Sequence, residues 1–140
     1  MALEPCGLGD ANGGSGLGQP RTILIADDSA SVRAVIRESI ERETPFKICG
    51  EATDGIDAIH KTRELKPDLV ILDVVMPHLN GLEAATILRH SMSDLRIVLI
   101  SMYGDDLGEG FAAAIRVDAV LSKSDGITPL IESVQNLLAD

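Results

Sequence analysis

The sequence predicts an α/β fold, a doubly wound parallel sheet with helices on both faces. Two observations lead to this class. From Arg21 onward, short apolar runs rich in β-branched residues alternate with longer stretches whose apolar residues recur at helical spacing. The short runs show little polar alternation, which is typical of strands that are buried on both faces. Strands of this kind, separated by helices, indicate a parallel sheet with crossover connections.

Five strands are predicted where apolar residues cluster. The runs TILIA, FKICGEA, LVIL, IVLI and AVL place them at residues 22–26, 46–52, 69–72, 97–100 and 119–121. Each run is short, and in four of the five most residues are valine, isoleucine or leucine. Five strands within residues 21–140 fit a flavodoxin-like (βα)5 sheet with the strand order 2-1-3-4-5.

Five helices are predicted between and after these strands, at residues 29–43, 55–65, 81–93, 105–115 and 126–138. The last has the clearest amphipathic pattern, with one apolar face formed by Ile127, Leu130, Ile131, Val134, Leu137 and Leu138. The fourth helix has a similar stripe, formed by Leu107, Phe111, Ala114 and Ile115. If the acidic pair has only a structural role, Asp28 or Ser29 would cap the first helix, because both residue types are favourable N-caps.

Residues 1–20 differ in composition from the rest of the chain. They are rich in glycine, contain two prolines and lack apolar periodicity. Such a segment buries too little surface to offset its conformational entropy, so we expect a disordered leader. The remaining residues, 21–140, are numerous enough for a single hydrophobic core and are expected to form one domain.

The charge balance argues against direct contact with nucleic acid. The chain has 22 acidic and 12 basic residues, a formal net charge of -10, and only one tyrosine and two phenylalanines. A phosphate backbone would be repelled, and there are too few rings for stacking on bases. Neither a signal-peptide pattern nor an apolar stretch of membrane-spanning length is found, so we expect no membrane association and a cytoplasmic location.

Acidic residues stand where the first and third strands end. Asp27 and Asp28 follow the first strand, and Asp73 follows the third. In the order 2-1-3 these strands are neighbours, so the three carboxylates should meet where ligands bind in open α/β sheets. Clustered carboxylates repel one another unless a cation offsets their charge, and oxygen ligands without His or Cys suit Mg²⁺. Helix capping is the alternative, but it accounts for one acid and not for three.

Two complementary groups are predicted at the same end of the sheet. Ser101 closes the fourth strand, and Lys123 follows the fifth. With a metal bound, one carboxylate can act as a nucleophile on phosphorus, while the metal and an ammonium neutralise the phosphoryl oxygens and a hydroxyl donates to one of them. The set therefore predicts phosphoryl-group chemistry.

These features, in this order, resemble the receiver domain of bacterial two-component response regulators. The residues that carry the resemblance are the acidic pair in ILIADDS, Asp73 with Met76, Pro77 and Gly81 in ILDVVMPHLNGLEA, Ser101, and Lys123 in VLSK. The resemblance covers residues 21–140. It implies that Asp73 accepts a phosphoryl group from a histidine kinase, that Lys123 pairs with that group, and that the Ser101 hydroxyl hydrogen-bonds to it.

The resemblance also implies a set of Mg²⁺ ligands. Asp28 would bind the ion directly, and Asp27 would act mainly through water. Asp73 itself and the backbone carbonyl of Val75 would complete the protein ligands.

Three positions depart from the pattern that is usual in this family. Met102 stands where a small residue is common, and we expect it to slow phosphorylation by small donors. Val120 stands where a tyrosine or phenylalanine is common, so a ring that turns inward on phosphorylation cannot operate from that position. Ser124 replaces a frequent proline, so a cis-proline turn cannot form there.

The implied function is a phosphorylation-dependent switch and not a turnover enzyme. Phosphorylation would change a surface formed by the fourth helix, the fifth strand and the fifth helix, and a partner that binds one state better would respond. The expected partners are a histidine kinase and a downstream protein or a missing output domain, with a homodimer through the same surface as a further expectation. Three alternatives stay open: a receiver fragment of a DNA-binding transcriptional regulator, a Mg²⁺-dependent phosphohydrolase, and an interaction module that is never phosphorylated.

Overall fold

The computed structural model describes residues 19–102 and 115–139. Within them the strands are β1 (Thr22–Ala26), β2 (Lys47–Ala52), β3 (Leu69–Asp73), β4 (Arg96–Ser101) and β5 (Ala119–Ser122). The α-helices are α1 (Ala30–Glu43), α2 (Gly55–Leu65), α3 (Gly81–Ser91) and α4 (Thr128–Leu137). Two predicted segments lie outside the described residues: residues 1–18 of the leader, and residues 105–114 of the fourth predicted helix. The helix labelled α4 here is therefore the fifth helix predicted from the sequence. No helix in the described ranges is long and apolar enough to cross a membrane.

The five strands form one parallel sheet in the order β2-β1-β3-β4-β5. This confirms the predicted doubly wound, flavodoxin-like fold. β1 and β3 are direct neighbours, with Ala26 opposite Leu72. Asp73 pairs with Ile100 of β4, and the next residue of β4 pairs with Ser122 of β5. The carboxyl ends of β1, β3, β4 and β5 are therefore in step at one end of the sheet.

Alternate strand residues pack into two cores, one on each face of the sheet. Leu24 lies in the core that α2 and α3 cover, together with Leu88. Ile23 lies in the opposite core, where α1 and α4 contribute Ile40 and Val134. All of these side chains are fully buried. Because both faces of each central strand are covered, the sequence of these strands has no polar alternation.

The predicted boundaries agree with the structure to within two residues at most ends. β3 continues through Asp73, because this residue keeps its ladder partner on β4. α1 begins one residue later than predicted, and the Ser29 hydroxyl caps it by accepting a hydrogen bond from the first turn at 3.3 Å, so Ser29 and not Asp28 is the cap. α4 begins two residues later than predicted, because Gly126, with a φ of 84°, ends the short 3-10 turn Lys123–Asp125 that precedes the helix.

Candidate functional site

The two adjacent carboxylates that follow β1 lie in different environments. Asp27 has no exposed surface, whereas Asp28 is exposed. The Asp27 amide donates to the carbonyl of Ala52 in β2 at 3.0 Å, and its Oδ1 accepts from the amide of Ser29 at 2.9 Å. These bonds hold Asp27 in the interior, so one carboxylate of the acidic pair is buried and the other is exposed to solvent.

Asp73 brings a third carboxylate to the same place. It is the last residue of β3, next to β1, and it is 4% exposed. One carboxylate oxygen from each of Asp27, Asp28 and Asp73 lies within 4.8 Å of the other two. The structure thus brings the three acids together as the predicted strand order requires.

The ammonium of Lys123 lies against the two buried acids. Lys123 is the first residue of a short 3-10 turn that follows β5 directly. Its Nζ donates to Oδ2 of Asp73 at 3.2 Å and lies 2.9 Å from Oδ2 of Asp27. One ammonium therefore faces two carboxylates, while a third carboxylate stands beside them.

This arrangement of charges shifts the pKa of both Asp73 and Lys123. Burial and the nearby charge of Asp27 raise the pKa of Asp73, and Lys123 offsets only part of that rise. For Lys123, burial alone would lower the pKa, but the contacts with Asp27 and Asp73 outweigh it and the pKa of the ammonium is raised. A bound cation would favour the ionised form of Asp73.

The segment that joins β3 to α3 is held against the acid that precedes it. The amide of Val75 donates to Oδ1 of Asp73 at 3.2 Å, and the amide of Gly81 donates to the carbonyl of Val74 at 2.9 Å. A Cβ atom at Gly81 would overlap the carbonyl oxygen of Asp73. Glycine at this position therefore lets the start of α3 approach the end of β3 more closely than any other residue would.

Ser101 and the two unusual positions near it lie as follows. Ser101 ends β4, is 3% exposed, and pairs in register with Ser122, the residue before Lys123. Met102 is 58% exposed, so it does not belong to the core. Val120 is partly buried and packs against the core under α2 and α3. The position where an aromatic residue is common in the resembling family is thus occupied here by an aliphatic packing residue.

Two contacts around the site were not predicted from the sequence. The guanidinium of Arg33 donates to the backbone carbonyl of Asp27 at 2.7 Å. Asp54 caps α2, and its Oδ2 lies 2.9 Å from Nδ1 of His78, a residue of the loop after β3 with a φ of 70°. A polar residue on an amphipathic helix and a histidine in a loop both resemble ordinary surface residues, so the sequence carries no signal for either contact.

Replacing Asp54 with alanine is expected to lower the free energy of unfolding by about 1 kcal/mol at pH 7, the usual cost of a lost N-cap. The hydrogen bond from the Asp57 amide, followed by that from His78, lowers the pKa of Asp54 below its ordinary value of 3.8. A carboxyl with a depressed pKa stabilises the fold above its ordinary pKa and loses that contribution as the pH falls through the folded value. Urea unfolding at pH 7, 5 and 3 should show that the difference in free energy of unfolding between wild type and Asp54→Ala becomes smaller toward pH 3.

Asp94→Ala is the control for this series, since Asp94 is exposed and its side chain caps no helix. A gap of the same size and pH dependence at Asp94, or a gap at Asp54 that widens in acid, would contradict the assigned role of Asp54.

The donor set at the carboxyl end of the sheet fits Mg²⁺. The three clustered carboxylates offer only oxygen atoms, which suit a hard divalent ion. Oδ2 of Asp27 is buried, and the ammonium of Lys123 lies 2.9 Å from it. A carboxylate oxygen accepts more than one contact, so Asp27 can face a bound cation and this ammonium together.

Comparison with known proteins decides the family. The model of the response regulator receiver domain matches residues 23–135. The chain belongs to the receiver domain family of response regulators. Phosphorylation and Mg²⁺ binding at an acidic cluster are general features of these receiver domains, and the three acids that converge here form such a cluster.

Solved receiver structures share the fold over most of the chain. The response regulator TrrA of Thermotoga maritima, in complex with Mg²⁺-BeF, is 32% identical with a TM-score of 0.76, covering 84% of this chain and 99% of that one. A two-component response regulator of the LuxR family from Aurantimonas is 28% identical with a TM-score of 0.79, covering 86% of each chain. These TM-scores show that the chain shares the fold of both structures.

Among curated relatives, a protein-glutamate methylesterase/protein-glutamine glutaminase of Myxococcus xanthus is 39% identical over 101 residues, or 72% of this chain. Those residues make up 29% of that relative, and in the corresponding enzyme of Thermotoga maritima the share is 27%. The receiver domain therefore corresponds to less than a third of the length of these relatives.

Proposed function

We propose that this receiver domain is a phosphorylation-dependent switch in which Asp73 is the phosphoacceptor. The observation that carries the proposal is the placement of Asp73, buried at the end of β3 between the acidic cluster and the ammonium of Lys123. The amide of Val75 fixes one carboxylate oxygen, and Lys123 contacts the other. A nucleophile held in this way is oriented before the donor arrives.

The proposed Mg²⁺ ligands are Asp28 directly, Asp27 mainly through water, Asp73, and the backbone carbonyl of Val75. Bound there, the ion would neutralise charge on the phosphoryl oxygens. The exposed position of Asp28 suits contact with a hydrated ion. The buried carboxylate of Asp27 is held in place by the amide of Ser29 and supplies a negative charge beside the ion.

The proposed reaction moves one phosphoryl group. A carboxylate oxygen of Asp73 forms a bond to phosphorus while the bond from phosphorus to the leaving group breaks, and the leaving group keeps the electron pair. That leaving group is the imidazole of a kinase phosphohistidine or the carboxylate of a small acyl phosphate. Lys123 stabilises charge that develops on the transferred oxygens, and the Ser101 hydroxyl donates a hydrogen bond to one of them.

Several features of the wider protein belong to the same proposal. The donor is a histidine kinase, and the output comes from a downstream protein or from an output domain outside this chain. A receiver fragment of a DNA-binding regulator is the second candidate, because the similar structures include a DNA-binding response regulator of the LuxR family from Staphylococcus aureus, 26% identical with a TM-score of 0.76. We also propose that residues 21–140 are the receiver unit, that residues 1–20 are a leader, and that β5, α4 and the fourth predicted helix form the switching or dimer surface.

Intact mass spectrometry after incubation with an acyl phosphate and Mg²⁺ tests the switch. Wild type should gain the mass of one phosphoryl group, EDTA should prevent the gain, and Asp73→Asn should show none. Asp94→Asn, at an exposed position in the loop before β4, should gain it as wild type does. A gain in Asp73→Asn would place the acceptor elsewhere. No gain in wild type, together with no binding of beryllofluoride, would favour an interaction module that is never phosphorylated.

A further inference from the structure

Arg33 connects the acidic pair to the neighbouring strand. It is the fourth residue of α1, and its side chain is only 15% exposed. Its Nη1 donates to the backbone carbonyl of Asp27 at 2.7 Å, and its Nε donates to Oε1 of Glu51 in β2 at 2.7 Å. One planar guanidinium thus bonds two groups at once, which an ammonium cannot do in the same geometry.

Glu51 holds this arginine in place. Its second oxygen accepts from Nε of Arg37 at 2.7 Å, so the carboxylate lies between two guanidinium groups. Burial acts to raise the pKa of Glu51, but the two arginines outweigh it and the pKa is lowered. Glu51 is therefore ionised at neutral pH and keeps Arg33 oriented toward β1.

The carbonyl that Arg33 contacts occupies a special place. It belongs to the peptide unit that joins Asp27 to Asp28, so its orientation sets the direction in which the chain continues to Asp28. The amide of Asp27 is fixed by Ala52, and its side chain by the amide of Ser29. Arg33 fixes the carbonyl of the same residue.

We propose that Arg33 is a positioning residue for the metal centre, which fixes the Asp27–Asp28 peptide so that both carboxylates are directed at one ion. This inference rests on the proposed Mg²⁺ site. Groups that orient metal ligands commonly change metal affinity by 10-fold or more when they are removed. Arg33 acts through Asp27 and Asp28 and does not itself touch the ion or the phosphoryl group.

Charge alone predicts the opposite effect, which makes the inference sharp. Arg33 is a cation close to a site for a divalent cation, so removing its charge would tighten Mg²⁺ binding if Coulomb repulsion were its only influence. Arg37 is the matched control. It forms the same kind of ion pair with Glu51, but it makes no hydrogen bond to Asp27.

Isothermal titration calorimetry of the full 140-residue chain with MgCl2 at pH 7 tests the proposal. Arg33→Gln should weaken Mg²⁺ binding about 10-fold, while Arg37→Gln should leave it unchanged or slightly tighter. Arg33→Lys keeps the charge and cannot serve both partners, so its affinity should fall between that of wild type and that of Arg33→Gln. Urea unfolding without metal separates this effect from the stability that each variant loses with its ion pair.

Each outcome of the titration decides the matter. Equal or tighter binding in Arg33→Gln, or the same weakening in Arg37→Gln, would overturn the positioning role and leave the Mg²⁺ site intact. If Arg33→Gln does not fold, wild-type affinity in Arg33→Lys would overturn it as well. Failure of wild type to bind Mg²⁺ would instead remove the proposed function, and the inference with it.

Discussion

Lys123→Met is expected to lower the free energy of unfolding of the metal-free protein by about 3 kcal/mol at pH 7, a cost typical of removing one partner from a buried ion pair. Asp27 is fully buried and Asp73 nearly so, and Lys123 is the cation that contacts both in the described part of the chain. Without it, two adjacent carboxylates remain in the interior with no ammonium beside them.

The same variant should show a distinctive pH dependence. Burial and Asp27 raise the pKa of Asp73, and losing Lys123 removes the contact that opposes this rise. A carboxyl with a raised pKa stabilises the fold below its ordinary value, 3.8 here, and loses that contribution as the pH rises through the folded value. The penalty of Lys123→Met should therefore be largest near neutral pH and should narrow as the pH falls toward 4.

Urea unfolding of both proteins at pH 7, 6 and 5, with and without Mg²⁺, measures these effects. Added Mg²⁺ should stabilise Lys123→Met more than wild type, because the ion replaces the missing charge. Lys47→Met is the control, since Lys47 is exposed at the start of β2 and should change the stability by less than about 0.5 kcal/mol. A penalty that is independent of both pH and Mg²⁺ would show that Lys123 acts through packing alone.

Gly81→Ala is expected to lower the free energy of unfolding by about 3 kcal/mol. It is also expected to weaken Mg²⁺ binding. A Cβ atom at this position would overlap the backbone carbonyl of Asp73, which has no rotamer with which to move aside. Alanine has a higher helix propensity than glycine, so propensity alone would stabilise the variant. A loss of stability would therefore come from the steric overlap. Relief of the clash must displace either the start of α3 or the end of β3, where Asp73 lies.

Gly126→Ala separates this clash from backbone strain. Gly126 has a φ of 84°, but a Cβ atom there meets nothing within 4 Å. Gly126→Ala should therefore lower the free energy of unfolding by about 1 kcal/mol through backbone strain and leave the Mg²⁺ affinity near that of wild type. Urea unfolding and calorimetric titration of both variants supply the two readouts. Equal Mg²⁺ affinity in Gly81→Ala and wild type would mean that the contact between α3 and β3 does not shape the metal site.

The fold and the convergence of the acids could be predicted because they depend on patterns that a sequence displays. The apolar runs identify parallel strands, and the strand order then places Asp27, Asp28 and Asp73 at one end of the sheet. Ser101 and Lys123 follow by the same rule, since each stands at or directly after the end of a strand. The positions along the chain are enough for this part of the site.

What the sequence did not reveal depends on contacts between residues far apart in the chain. Adjacent aspartates look alike in a sequence, but the hydrogen bonds of Asp27 to Ala52 and Ser29 bury one while the other stays exposed. The role of Arg33 likewise requires the side chain of Glu51, which comes from another strand. Periodicity reports which face a residue occupies and not which backbone carbonyl its side chain reaches.

The position of Lys123 at the far edge of the sheet bears on how the chain folds. Lys123 and Asp73 are 50 residues apart in sequence, and β5 is the last strand in both chain order and sheet order. Contacts of long sequence separation require closure of a large loop, so we expect this ion pair to form late. Until β5 docks, a nascent sheet of four strands holds the three acids without their ammonium. A divalent cation bound to these acids would offset their mutual repulsion until the ammonium reaches them.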